Sequence, residues 1–170
     1  MKFDVFGLGN ALMDVQVFVN DDFLKKNNIP KGVMHLIDED KSRSLIQAIV
    51  GYKSVLVPGG SSANTISALA MLGKKTVFSG VVADDTYGRL YESKVASRGV
   101  KTLFTFKDDG LTGSAVILTS EDSERTMLTH LGVCREGTKD DVDFEILADS
   151  KIFHCEGYQW DTPNQKETVV

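Results

Sequence analysis

The run Val57-Pro58-Gly59-Gly60-Ser61-Ser62-Ala63-Asn64-Thr65 constrains this chain more than any other: a strand ends, two glycines follow, and a helix begins at once. Paired glycines let the backbone turn sharply and admit a close neighbour such as a ligand. The helix predicted over Ser62–Leu72 opens on unpaired N–H groups and carries Asn64 in its first turn. It stops at Gly73, a residue suited to a left-handed cap. A strand–glycine–helix unit of this kind belongs to an open α/β sheet, with a polar pocket at the carboxyl ends of its strands. Asp14 and Asn64 are expected to meet there.

The rest of the chain fits that frame. Phe3–Gly9 reads as a central strand, and Gln16–Val19 and Val33–Ile37 as shorter runs divided by the polar segment Asn20–Lys31. Asp40–Ile49 has helical spacing closed by Gly51, Ser54–Val57 is a strand, and Thr76–Val82 is the next. Asp84-Asp85 caps a helix reaching Ser97. From residue 101 the character changes. Thr102–Phe106 alternates, Asp109-Gly110 turns, and Ser114–Thr119 returns, with a second turn into Arg125–Thr129. This predicts an antiparallel meander inserted into a βαβ pattern. Asp141–Ala148 reads as a helix and Lys151–Cys155 as a buried strand. The expected architecture is therefore one α/β domain over 1–170, with a small β appendage from two segments near 16–37 and 102–120. Thr162-Pro163 starts a helix that stops after about two turns, so the chain reads as the N-terminal part of a longer protein.

Composition narrows function. A formal net charge of -5 without a Lys or Arg run argues against a nucleic-acid surface. No apolar stretch reaches the length of a membrane span, and no signal-peptide pattern opens the chain, which makes a cytoplasmic location the default. Cys134 and Cys155 have no metal-like spacing, and Cys155 reads as core. His35, His130 and His154 are scattered, so no metal site is expected. Gly7-x-Gly9 after the first strand invites a dinucleotide reading, but position 12 is Leu and no helix pattern follows.

Asn10 and Asp14 lie just past the first strand. An ionised carboxylate only accepts hydrogen bonds, so Asp14 suits two neighbouring hydroxyls of a sugar; Asn64 both donates and accepts, and suits the next. The plainer alternative stays open: Asp14 caps a turn and Asn64 caps a helix.

Read together, Gly7-Leu8-Gly9-Asn10-Ala11-Leu12-Met13-Asp14, Gly59–Thr65, Phe78–Gly88, Thr112-Gly113-Ser114-Ala115, Arg125 and Glu156-Gly157-Tyr158 resemble the ribokinase-like (PfkB) sugar and nucleoside kinases, most closely their adenosine-kinase branch. The resemblance implies a doubly wound sheet that carries phosphate chemistry and a small β-sheet lid over the substrate. It implies that Asp14 holds the ribose diol, with Asn10, Gly59, Gly60 and Asn64 completing the sugar site. Leu12, Ile37, Met127 and Tyr158 would enclose the nucleobase, and Arg125 would approach the transferring phosphate. In the intact parent, ATP would be the phosphoryl donor, with Mg2+ bridging its phosphates. The family's Gly-Ala-Gly-Asp run is absent, so no catalytic residue is assigned: the catalytic Asp is expected beyond Val170, and the chain alone is expected to be inactive. Ser62 stands where many sugar kinases carry Gly, Ala or Pro, which favours the nucleoside branch. A PfkB-type fructokinase or ribokinase is the competing acceptor choice. A non-catalytic assembly protein, pairing as a homodimer through lid strands near Thr105 and Ile117, is the alternative of another class.

Overall fold

A computed structural model describes all residues, Met1–Val170. The chain divides into two compact units: Met1–Met13, Pro58–Gly113 and Leu131–Val170 form the first, and Asp14–Val57 with Ser114–His130 the second.

The first unit is built on a four-stranded sheet of β1 (Phe3–Leu8), β5 (Thr76–Ala83), β6 (Lys101–Lys107) and β9 (Ser150–Cys155), in the order β6-β5-β1-β9. Every pairing in it is parallel. All eight residues of β5 are buried, as a parallel strand covered on both faces requires. On one face, α3 (Ser61–Met71) packs on β1 and β5, and α4 (Thr86–Ala96) packs on β5 and β6. A Cβ on Gly7 would run into the Ile66 side chain, so the first glycine of the Gly7-x-Gly9 pair brings α3 close to β1. The strand after it, β2 (Leu12–Phe18), begins at once, with no intervening helix to support a dinucleotide reading. On the other face, Phe6, Leu8 and Val77 pack with Val142, with Ile146 and Leu147 of α5 (Phe144–Ala148), and with Val169 of α6 (Pro163–Val169). Helices on both faces make this a doubly wound α/β unit, as the sequence pattern predicts. Thr162 caps α6 and Pro163 opens it, also as predicted.

The structure corrects several local expectations. The run expected to begin an antiparallel meander is β6, parallel to β5 from Val77↔Lys101 to Ala83↔Lys107. Phe104 meets Phe78 and Tyr91 edge-on, with ring centroids 5.7 and 5.6 Å apart. An edge strand with one face on a helix alternates just as a hairpin arm does, so local pattern does not separate them. The antiparallel pair is instead β7 (Gly113–Thr119) with β8 (Arg125–His130). The appendage expected at 102–120 therefore draws on Ser114–His130, and its first segment extends from 16–37 to Asp14–Val57. Thr105 lies in the four-stranded sheet and Ile117 is buried, so neither is an exposed lid position. Asp141 does not start a helix: its carboxylate accepts from Thr138 N–H at 2.8 Å and closes a short 3-10 turn, and Asp143 caps α5. Finally, β9 is a sheet edge with Ile152 and Phe153 exposed, where a buried strand was expected.

The second unit contains most of a five-stranded sheet, β3-β8-β7-β2-β4, with β3 at Met34–Leu36 and β4 at Ser54–Gly59. Burial alternates along β2: Val15 and Val17 are buried, whereas Gln16 and Phe18 are exposed. Val116, Leu118 and Leu128 are buried too, as are Phe23 and Leu24 of α1 (Asp21–Lys26) and Leu45 of α2 (Glu39–Ala48). The polar segment Asn20–Lys31, which divides the two short runs, thus holds a helix. Asn20 caps it, Asp21 and Asp22 lie in its first turn, and Lys25 and Lys26 in its last, so its charges suit the helix dipole.

Candidate functional site

In the four-stranded sheet the chain runs from β1 outward through β5 and β6, then returns to place β9 on the other side of β1. The order reverses between β1 and β9, and open α/β sheets bind ligands beyond the carboxyl ends of the strands at such a point. The residues just past those ends are Gly9-Asn10 and Glu156.

Glu156 is engaged on both oxygens. Oε1 accepts from the Asn10 N–H at 2.9 Å; Oε2 accepts from the Ser62 N–H at 2.9 Å and from the Ser61 hydroxyl. The Asn10 side chain is 5% exposed, and its Oδ1 accepts from Gln159 Nε2 at 2.9 Å and Gln165 Nε2 at 2.8 Å. Gln165 Nε2 also donates to the Cys134 carbonyl at 3.0 Å. The residue expected to reach a sugar hydroxyl thus has its carbonyl oxygen committed to the protein.

The double glycine is explained in part by its protein neighbours. Gly60 has φ +93°, which disfavours any L side chain, and a Cβ there would strike the Asn10 carbonyl oxygen. Gly59 accepts the buried Tyr91 hydroxyl on its carbonyl at 2.7 Å. Asn64 is exposed in the first turn of α3, with its N–H bonded to the Gly60 carbonyl at 3.0 Å. Leu12 is half-buried and close to Gly113, and Tyr158 is 68% exposed in a 3-10 turn over Gly157–Trp160.

In the second unit, Asp14 sits within β2 and caps no turn. No protein donor hydrogen-bonds its carboxylate; burial pushes the carboxyl up to about 6, and the Arg125 guanidinium pulls in the opposite direction. Arg125 opens β8 and is exposed. Met127 is half-buried two residues on and lies in register with Met34 and Ile117. Ile37 is half-buried and donates its N–H to the Thr129 carbonyl at 2.9 Å, which carries the line of β3 beside β8.

Within the first unit, then, Asn10 and Gly60 are brought together; within the second, the Arg125 charge acts on Asp14 from β8, one strand beyond the neighbour of β2. Sequence reasoning missed the roles of Glu156, Gln159 and Gln165. An acid directly after a parallel strand is the one local signal for Glu156, while Gln159 sits in a 3-10 turn and Gln165 in the first turn of α6, and the burial of neither is visible in sequence.

No group of three or more His, Cys, Asp or Glu side chains is placed to hold a metal ion, both cysteines are free, and no helix is long and apolar enough to cross a membrane. The chain superposes with a TM-score of 0.85 on the adenosine kinase from Sinorhizobium meliloti, at 36% identity, over 99% of this chain and 51% of that one. TM-score, identity and coverage are the same for a probable sugar kinase protein from Rhizobium etli CFN 42. In sequence it is 26% identical over 159 residues to the adenosine kinase of Saccharomyces cerevisiae, which covers 89% of this chain and 46% of that protein. The chain therefore spans about half the length of these relatives. Residues 35–169 match the profile of the pfkB family carbohydrate kinases, and with the doubly wound sheet and the glycine-turn helix this chain belongs to that family.

Proposed function

We propose that this chain is the acceptor-binding part of an ATP-dependent kinase that phosphorylates the primary hydroxyl of a ribosyl substrate, with adenosine favoured. The observation that carries the reading is Asp14. Its carboxylate is partly buried and has no protein donor, so it lacks the hydrogen bonds that normally compensate such a group. A vicinal diol supplies two O–H donors to its two oxygens and would draw the carboxyl back toward its usual range.

The remaining roles follow residue by residue. The Gly60 turn and Asn64 suit further sugar hydroxyls, with Gly59 as backbone support. Leu12, Ile37, Met127 and the exposed ring of Tyr158 suit the faces of a nucleobase. Arg125 suits negative charge near Asp14. Likeness to an adenosine kinase at 36% identity favours a nucleoside, while equal likeness to a probable sugar kinase keeps fructose and ribose in competition.

Phosphoryl transfer rests on positioning and on electrostatic stabilisation of the transferring group. In this reading the present residues bind and orient the acceptor. ATP as donor and Mg2+ as its metal ion belong to the intact parent in this reading; the side chains here form no metal site and no Gly-Ala-Gly-Asp run occurs, so no step is assigned to them. Phe18, Met34, Leu36 and Val55 are apolar and exposed on strands of the second unit, and pairing through those strands is the route by which a homodimer would form.

The test is an amide-resolved NMR titration of the chain with adenosine and with fructose, repeated for Asp14→Ala. Adenosine should shift amides near Asp14 and Asn64, and the variant should lose that response with its spectrum still dispersed. Unchanged adenosine affinity in Asp14→Ala sinks the diol contact; shifts with fructose alone move the acceptor to a free sugar.

A further inference from the structure

We propose that Glu156 is a positioning residue of the acceptor site: its carboxylate clamps the exit of β1 to the first turn of α3 and so holds Gly60 and Asn64 in the arrangement they present to the acceptor. The inference rests on the acceptor reading above and extends it to a residue with no assigned role.

The argument begins with how the helices are capped. The other five α-helices take their cap from the adjoining residue's own side chain: Asn20, Asp38, Asp85, Asp143 and Thr162 each accept a first-turn N–H. Helix α3 does not. Its N-cap is Gly60, held at φ +93° and pressed against the Asn10 carbonyl, a place where a capping side chain has neither the backbone angle nor the room. The cap comes instead from Glu156, 94 residues away from Ser62 in sequence. A carboxylate there matches the positive end of the helix dipole and forms charge-assisted bonds to N–H groups that otherwise lack partners.

A capping group alone would need one oxygen. Glu156 uses the second for the Asn10 N–H, which joins the β1 exit to α3 through one side chain. Both ends of this clamp are held. The parallel register Leu8↔Cys155 fixes the strand ends beside each other, and the Gln159 N–H returns to the Glu156 carbonyl at 3.0 Å. Gln159 and Gln165, 4% and 1% exposed, hold the Asn10 carboxamide from the other side. The contact between Gly60 and the Asn10 carbonyl is thus maintained by a chain of bonds, and Asn64 begins one turn beyond it.

Chemistry separates Glu from its closest substitute. A carboxylate accepts on both oxygens, whereas Gln accepts on one and presents an NH2 group on the other. Glu156→Gln keeps the shape but leaves either the Asn10 N–H or the Ser61–Ser62 pair without an acceptor.

The experiment uses the whole 170-residue chain. Amide hydrogen exchange and adenosine titration are followed by NMR for wild type, Glu156→Gln and Val142→Ala, the last a core truncation on the far face of the sheet. The clamp predicts that Glu156→Gln lowers protection of the Ser62 or Asn10 amide at least tenfold more than that of Phe78. It also predicts a roughly tenfold weaker adenosine dissociation constant, while Val142→Ala, though destabilised, binds as wild type does. Unchanged protection at both amides overturns the clamp whatever happens to binding. Equal loss of affinity in Glu156→Gln and Val142→Ala reduces Glu156 to a structural residue and overturns the positioning role. A wild-type chain that binds neither adenosine nor fructose removes the acceptor reading itself and the positioning role with it; the exchange data then still report on the clamp.

Discussion

Two acidic residues in this molecule stand in opposite circumstances. Glu156, in the first unit, has both oxygens filled by Asn10, Ser61 and Ser62. Asp14, in the second, is partly buried with no protein donor, and burial pushes its carboxyl up to about 6. The same functional group has its hydrogen bonds completed by the protein in one place and has no protein donor in the other. A buried polar group normally has its partners, so the one without them is the better marker of a binding site. Asn10 shares the circumstances of Glu156, with its N–H and its side-chain carbonyl oxygen both bonded within the protein, although its residue type alone places it with Asp14.

The contrast is sharpest at Gly60. Gly60→Ala places a methyl group against the Asn10 carbonyl at a left-handed φ, and is expected to cost roughly 3 kcal/mol or more, read as a fall in the urea midpoint. If the loss is only a few tenths, the clamp around Glu156 has enough slack to be unimportant.

Asn10→Ala comes next. It leaves the buried Gln159 and Gln165 amides short of an acceptor, with an expected loss of about 2 kcal/mol. Full stability combined with abolished acceptor binding would move Asn10 back among the ligand contacts.

Asp14→Asn should act in the other direction. A carboxyl whose folded pKa is raised binds its proton more tightly in the folded state, so stability falls as pH rises from about 4 to about 6, and the penalty is constant above that. Removing the charge should therefore stabilise the chain at pH 7 by about 1 kcal/mol after discounting for partial exposure, with no gain below pH 4. Acceptor affinity in the wild type should weaken as pH drops through about 6, where the carboxylate is lost. Thermal melts and titrations at pH 7 and pH 4 check both; a pH-independent difference would mean that Asp14 is compensated after all.

The smallest effect is expected at Lys31, whose ammonium lies 2.7 Å from both Asp21 and Asp122 on the surface of the second unit. Lys31→Met should lower the melting temperature only slightly at neutral pH. Asp122, held down to about 2 mainly by Lys31, contributes stability above its unfolded pKa that disappears as pH falls through about 2. A large drop at pH 7 would show that this pair holds α1 more firmly than exposed ion pairs usually do.

Much of the framework was legible before the structure. The glycine turn and α3, the strand β5, the Asp85 cap and the Thr162-Pro163 helix start all follow from short-range rules of capping, periodicity and steric freedom. So does the choice of Asp14 and Asn64 as candidate groups. What failed depended on distant partners. The Thr102–Phe106 alternation fits both a hairpin arm and a parallel edge strand, and only pairing with β5 decided it. Lys151–Cys155 is apolar enough for a central strand, yet its place at the sheet edge leaves Ile152 and Phe153 exposed.

By itself the sequence determined the α/β class, the glycine-turn helix and the polar residue types that gather around it, because these are set by neighbours a few positions apart. Only the tertiary structure decided which of those polar groups remain available. Glu156 reaches α3 across 94 residues and Gln165 reaches Asn10 across 155, and hydrogen bonds that long in sequence leave no local pattern to read.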